Sequence, residues 1–182
     1  MMRLLDVVRQ LGAPCDLNEM LETVIDVARE ILHADRGTVF LFDEDARELY
    51  LKVATGLKEL RFSIDDKGIA HECARTQQVI NVPDCYGDKR FNQDFDKKTG
   101  YRTNCLIAVP LIGLEDQLVG VMQVLNKEDG VFDESDEQIA SALASQAAVA
   151  IQRAMLIDER MIKIKMENDM QIAQEIQQNV LP

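Results

Sequence analysis

Asn126-Lys127-Glu128-Asp129-Gly130-Val131-Phe132-Asp133-Glu134-Ser135-Asp136-Glu137 is the stretch on which the reading of this chain turns. It follows Leu118 to Leu125, an apolar run with strand character. Asp129-Gly130 predicts a turn. Phe132 precedes a helix start as an apolar plug, Asp133 and Ser135 compete as N-cap, and acids fill the first turn where the helix dipole favours them. Lys127 is close enough in sequence to reach back to Asp136. The stretch therefore predicts a strand exit, a turn and a helix start, tied by one ion pair.

On its C-terminal side the chain has no Pro or Gly from Glu134 until Pro182, which predicts one long helix. Ile139, Leu143, Ala147 and Ile151 are expected to face the domain. Ala150, Ala154, Ile157, Met161, Ile164 and Asn168 step by four and three, a coiled-coil seam with Asn168 at an a position, where a buried amide fixes the register of a parallel dimer. Ile172 and Ile176 break the heptad as a stutter.

On the N-terminal side, Leu118 to Leu125 and Thr103 to Leu111 predict two strands around a Gly113-to-Asp116 turn, with a bulge or an edge at Pro110. Cys85 to Gly100 is polar and predicts a long loop with one helical turn, and loops of that size inside domains are usually functional. Gln78 to Val82 and Arg61 to Ile64 predict short strands, with a short helix from Ile69 to Arg75. Thr38 to Phe42 and Glu48 to Thr55 predict a hairpin. Helical spacing from Met1 to Leu11, stopped at Gly12-Ala13-Pro14, and again from Leu17 to Leu32 predicts two helices. This order makes an α+β domain: a central antiparallel sheet, long helices on one face, and a ligand pocket under short elements and a loop on the other.

The 182 residues suffice for one domain with an extension. The formal net charge of −12 excludes a nucleic-acid backbone as partner and disfavours an anionic membrane surface. There is no apolar run near 18 residues and no signal-peptide core, so a cytoplasmic protein is expected. Cys15, Cys73, Cys85 and Cys105 have neither zinc-ligand nor disulfide-scaffold spacing, which predicts buried reduced thiols and no metal. His71 reads as a packed residue, not a haem ligand.

Taken with Gly37-Thr38-Val39-Phe40-Leu41-Phe42-Asp43, Lys67-Gly68-Ile69-Ala70, Ile80-Asn81-Val82-Pro83-Asp84 and Lys98-Thr99-Gly100-Tyr101-Arg102-Thr103, the opening stretch resembles the GAF domains of cyclic-nucleotide phosphodiesterases and adenylate cyclases. The resemblance divides the chain into an N-terminal helix and linker (1–16), a GAF domain (17–155) and a signalling helix leading to an output domain (156–182). It implies that Asn126, Lys127, Phe132, Asp136 and Glu137 are structural and brace the pocket wall. It implies a ligand set elsewhere. Thr38 and Gln123 would line the sheet, and Gly68, Ile69 and Ala70 would present a helix N-terminus to a cyclic phosphate. Asp96, Thr99 and Thr103 would bond base, ribose or phosphate. Relatives place an aromatic and an acid on the second strand, where this chain has Ala54 and Thr55, and losing a stacking ring forfeits about 1–3 kcal/mol if nucleic-acid binders are a guide.

Asp169-Met170-Gln171-Ile172-Ala173-Gln174-Glu175-Ile176-Gln177-Gln178-Asn179-Val180-Leu181-Pro182 is similar to the lead-in of bacterial sporulation-type, metal-dependent serine phosphatases. Together the two resemblances imply a sensor for a cyclic nucleotide (cAMP or cGMP), needing no other cofactor. It would dimerise through its N- and C-terminal helices and control a phosphatase in the same chain. Two alternatives are a dimerising spacer without ligand and, as a minor one, an enzyme that reduces free methionine sulfoxide through clustered cysteines. The GAF fragment itself is expected to be non-catalytic.

Overall fold

A computed structural model describes residues 4–13, 15–52 and 59–180. Ala54 and Thr55 lie outside the described residues, as do the chain's first three and last two.

Helix α1 (Leu4–Gly12) is followed by α2 (Leu17–Leu32). Asp16 caps α2, its carboxylate accepting from the Glu19 N–H at 2.8 Å, and satisfies a donor that the first turn leaves free. The helix ends at His33, in the left-handed conformation with φ 52°, and the chain turns directly into β1 (Ala34–Asp43). That strand starts four residues before Thr38, because Ala34 already pairs with Lys127. Strands β2 (Glu48–Lys52) and β3 (Glu59–Ser63), helix α3 (Ile69–Thr76) and strand β4 (Ile80–Val82) follow. Next come α4 (Asp94–Thr99), β5 (Leu106–Ile112), β6 (Leu118–Lys127) and α5 (Glu134–Val180).

The strands form one six-stranded antiparallel sheet in the order β3-β2-β1-β6-β5-β4. Both faces of its central strands are buried, so these strands alternate between two cores rather than between core and solvent, while the edge strand β3 is largely exposed. On β5, Ile107, Val109 and Leu111 meet a core shared with α1, α2 and α5, while Leu106 and Ala108 meet a second core with α3 and β4. Val39 and Leu41 of β1 and Met122 and Val124 of β6 join the first core; Phe40, Phe42 and Val121 join the second. The α+β arrangement, with long helices on one face and short elements on the other, is the one that the sequence predicts. Pro110 lies beyond the end of β4, which reaches only Ala108, and the β5–β6 register shifts between Leu111 and Ile112. Both readings of that proline, edge and bulge, therefore have a counterpart.

Asp133, not Ser135, caps α5. Its carboxylate accepts from the Asp136 N–H at 2.8 Å, and the Asp136 carboxylate accepts from the Asp133 N–H at 3.0 Å. This reciprocal box satisfies donors on both sides of the helix start. Ala140, Ala144, Ala147, Ala148 and Ile151 then bury α5 in the first core, whereas Ile139, expected to face the domain, is 40% exposed. By length and composition α5 could cross a membrane, with a mean hydropathy of 1.2 over its most apolar 18 residues, a feature that a search for uncharged runs misses. About half of that window (44%) is buried inside the domain. The expected seam is also divided: Ala150 and Ala154 are buried in the core of their own chain, and its exposed positions begin with Ile157.

Candidate functional site

The face of the sheet opposite α2 and α5 presents Thr38 and Gln123 side by side. They are cross-strand partners on β1 and β6, and Ala108 of β5 is the next neighbour. Gly37, one residue before Thr38, faces Ile25 and Arg29 of α2, so strand alternation turns Thr38 to the other side.

Helix α3 packs on β5 and β6 over that face. Gly68 precedes it at φ 157°, ψ 158°, a region essentially reserved for glycine, and no side chain caps the helix. A Cβ on Gly68 would stand 2.7 Å from His71 Cδ2. The N–H groups of Ile69 and Ala70 begin the helix, and such uncapped donors with the positive dipole end suit an anion. His71 is 9% exposed, edge-on to Phe62, and its Nδ1 has no partner. Burial pushes its pKa down, so the ring is neutral at physiological pH.

Asp96 lies in α4, and its carboxylate accepts from the Tyr86 hydroxyl (2.8 Å), the Thr103 N–H (2.8 Å) and the Thr103 hydroxyl (2.9 Å). It is 5% exposed. Two of the expected ligand contacts are thus bonded to each other, with both oxygens of Asp96 occupied by protein donors. Thr99 closes α4 with an exposed side chain whose hydroxyl donates to the Phe95 carbonyl at 2.9 Å.

Asn126, with φ 58°, is the hub of the wall. Its Oδ1 accepts from the N–H groups of Asn104 (2.7 Å) and Cys105 (3.2 Å), while its Nδ2 donates to the Tyr101 hydroxyl and the Arg102 carbonyl, both at 2.8 Å. Tyr101 donates onward to Asp35 at 2.7 Å, under the Arg36 guanidinium stacked 4.0 Å from its ring centroid. Burial and the bond to Asp35 push the Tyr101 hydroxyl up to about 12. Next in sequence, Lys127 pairs with Asp136, and Phe132 is 3% exposed. Burial raises the Asp136 pKa, but the Lys127 ammonium and the Asp133 N–H outweigh it and hold the carboxyl below its usual range. Glu137 donates its N–H to the Asp133 carbonyl as the helix ladder begins.

Cys73, Cys85 and Cys105 are buried and Cys15 is partly so. Burial pushes the Cys73 and Cys85 thiols up to about 12, the opposite of an activated nucleophile. Among the described residues no group of three or more His, Cys, Asp or Glu could hold a metal. Sequence reasoning missed Tyr86, Tyr101 and Asp35, whose partners are set by long-range contacts that no local pattern announces.

Among known proteins, a family model of the GAF domain matches residues 16–151. A probable 3′,5′-cyclic phosphodiesterase, pde-5, of Caenorhabditis elegans is 32% identical over 171 residues, covering 86% of this chain and 23% of that protein. The cGMP-specific 3′,5′-cyclic phosphodiesterase of Drosophila melanogaster is 31% identical over 171 residues, covering 85% of this chain and 15% of that protein. The chain thus spans less than a quarter of the length of these relatives. In structure it is similar to the GAF domain of a phosphoenolpyruvate-protein phosphotransferase from Coxiella burnetii, with a TM-score of 0.71, 21% identity, and coverage of 85% of this chain and 96% of that one. Core, wall and matched length agree, and the chain belongs to the GAF domain family.

Proposed function

We propose that the domain is a regulatory sensor of a small molecule, with a 3′,5′-cyclic purine nucleotide as first candidate ligand. The observation that carries this reading is the uncapped start of α3 at Gly68, on the same face of the sheet as Thr38 and Gln123. A cyclic phosphate has one negative charge, which backbone N–H groups and hydroxyls can hold without a lysine. The printed names of the relatives, cyclic-nucleotide phosphodiesterases, support the same ligand class. Asp96, Thr99 and Thr103 complete the set from α4 and the segment after it.

Bound ligand shifts a population only if two states bind it differently. The Asp96 network supplies such a difference, because a ligand that engages Asp96 or Thr103 must exchange bonds that the protein already makes. Calorimetric titration with cGMP and with cAMP tests the reading. Heat with either, lost in Asp96→Ala combined with Thr99→Val, supports it; no heat and no thermal shift with both sinks it.

The occupied Asp96 oxygens also favour a second reading, a dimerising spacer without ligand. Activity of the longer protein that ignores those two substitutions would support it. In both readings α5 dimerises through Ile157, Met161, Ile164 and Asn168, exposed along one stripe beyond the domain. Met161→Asp with Ile164→Asp should convert a dimer to a monomer in light scattering. The similarity of 169–182 to a phosphatase lead-in makes a metal-dependent serine phosphatase in the same, cytoplasmic chain the proposed output. Free methionine sulfoxide reduction is disfavoured by the raised Cys73 and Cys85 thiols.

A further inference from the structure

At the far end of the sheet from the start of α3 lies a concavity of about 710 Å³. Its walls are the β1–β2 turn (Glu44, Arg47) and the β5–β6 turn (Glu115, Asp116, Gln117), and the end of α3 (Arg75, Gln77) covers it. Phe42, Ile64, Ala74 and Leu118 form an apolar floor. Its size falls within the ordinary range of ligand pockets. Phe42 is four residues along β1 from Thr38, about 13 Å, so the concavity is separate from the candidate nucleotide site.

Two turn positions here break the usual rules. Arg47 (φ 53°) and Glu115 (φ 59°), like their neighbour Asp116 (φ 55°), adopt the left-handed conformation that such turns normally give to Gly, Asn or Asp. With Gln77 (φ 54°), they make four of the six non-glycine residues of positive φ among the described residues, and all four line this concavity. Nothing within the fold recompenses the long charged side chains: among the described residues Glu44, Arg47, Glu115 and Asp116 have no ion pair or side-chain hydrogen bond. Arg75 differs, since its guanidinium is held by the Ile64 and Asp66 carbonyls and by Glu72. Local rules broken without internal compensation mark functional positions.

The charges are also unevenly placed: the free guanidinium of Arg47 shares its turn with one free carboxylate, Glu44, and the other turn carries two, Glu115 and Asp116. The turns are separated by two strand spacings, about 10 Å. We propose that this concavity binds a short peptide of about three residues, its carboxylate at Arg47, its ammonium at Glu115 and Asp116, and an aliphatic side chain on Phe42, Ile64 and Leu118. An extended tripeptide spans about 10 Å, whereas a single amino acid spans under about 4 Å and cannot reach both walls. The occupant would act directly on α5, because Gln152 of that helix accepts from the Leu114 N–H at 2.8 Å and donates to Gln117 Oε1 at 3.2 Å.

The test is a titration of the isotopically labelled chain with the tripeptide Ala-Leu-Ala, followed by amide chemical shifts. Saturable shifts are expected at residues 44–47, 75–77 and 114–118, and at Gln152 on α5. Arg47→Asn retains the left-handed turn, since Asn tolerates it, and should weaken binding about tenfold, as should amidation of the peptide's C-terminus. The proposal is overturned if no saturable shift occurs up to about 10 mM peptide, if the amidated peptide binds as well as the free one, or if leucine alone binds as well as the tripeptide.

Discussion

Asp136 shows how much one side chain can hold in place. Its carboxylate pairs with Lys127 on β6 and completes the reciprocal cap with Asp133 at the start of α5. Asp136→Asn should lower stability at pH 7 by about 1–3 kcal/mol in urea denaturation, since a partly buried ammonium loses its partner. The folded carboxyl has a pKa below its unfolded value, so its contribution is present at neutral pH and is lost as pH falls below about 4. The difference between wild type and variant should therefore close in that acidic window. Gly68→Ala forces a Cβ against His71 and into a region that L-residues avoid, and should cost about 1–3 kcal/mol by the same measurement. The capping and the ion pair were legible because the partners lie within a dozen residues. The work of Asn126 was not, because its hydrogen bonds run to residues 101–105, far away in sequence.

Among the elements, the segment from β4 to β5 is the most informative. Its polarity predicts a long loop with one helical turn. It is ordered already, by Asp96 accepting three hydrogen bonds and by Asn126 anchoring its exit. Thr103→Val keeps the shape and removes one donor from a buried carboxylate, so it should destabilise the fold by about 1–3 kcal/mol. Amides of 94–105 should exchange faster in that variant, while those of β1 and β6 change only with global stability. The sequence named Asp96 and Thr103 but gave no means of joining them to Tyr86, since a polar loop carries no periodicity to set its partners. Strand ends were legible to within a few residues, and β1 was underestimated because Asp35 and Arg36 are polar yet lie within the strand, Arg36 paired with Leu125 of β6.

For the molecule as a whole, both cores must be complete before the thiols are hidden. Cys105 belongs to the helix-side core, and Cys73 and Cys85 to the other. A thiol reagent at pH 8 should modify Cys15 first, and the other three only at the rate of unfolding, as read by mass spectrometry. Early labelling of Cys73 or Cys85 would contradict their burial. The two-layered core was legible from the order of the elements, and the run 105–112 is nearly continuous in apolar residues, as suits a strand buried on both faces.

Helix α5 is 47 residues long, which at about 1.5 Å per residue is about 70 Å. The part beyond Ala154 projects about 39 Å past the last buried turn. It is a lever with its fulcrum inside the domain. A tilt of only about 5° at Ala154 sweeps the far end through more than 3 Å, as much as the diameter of a water molecule. A change at either turn too small to alter the sheet can thus become a displacement large enough to make or break a contact at the far end of the helix.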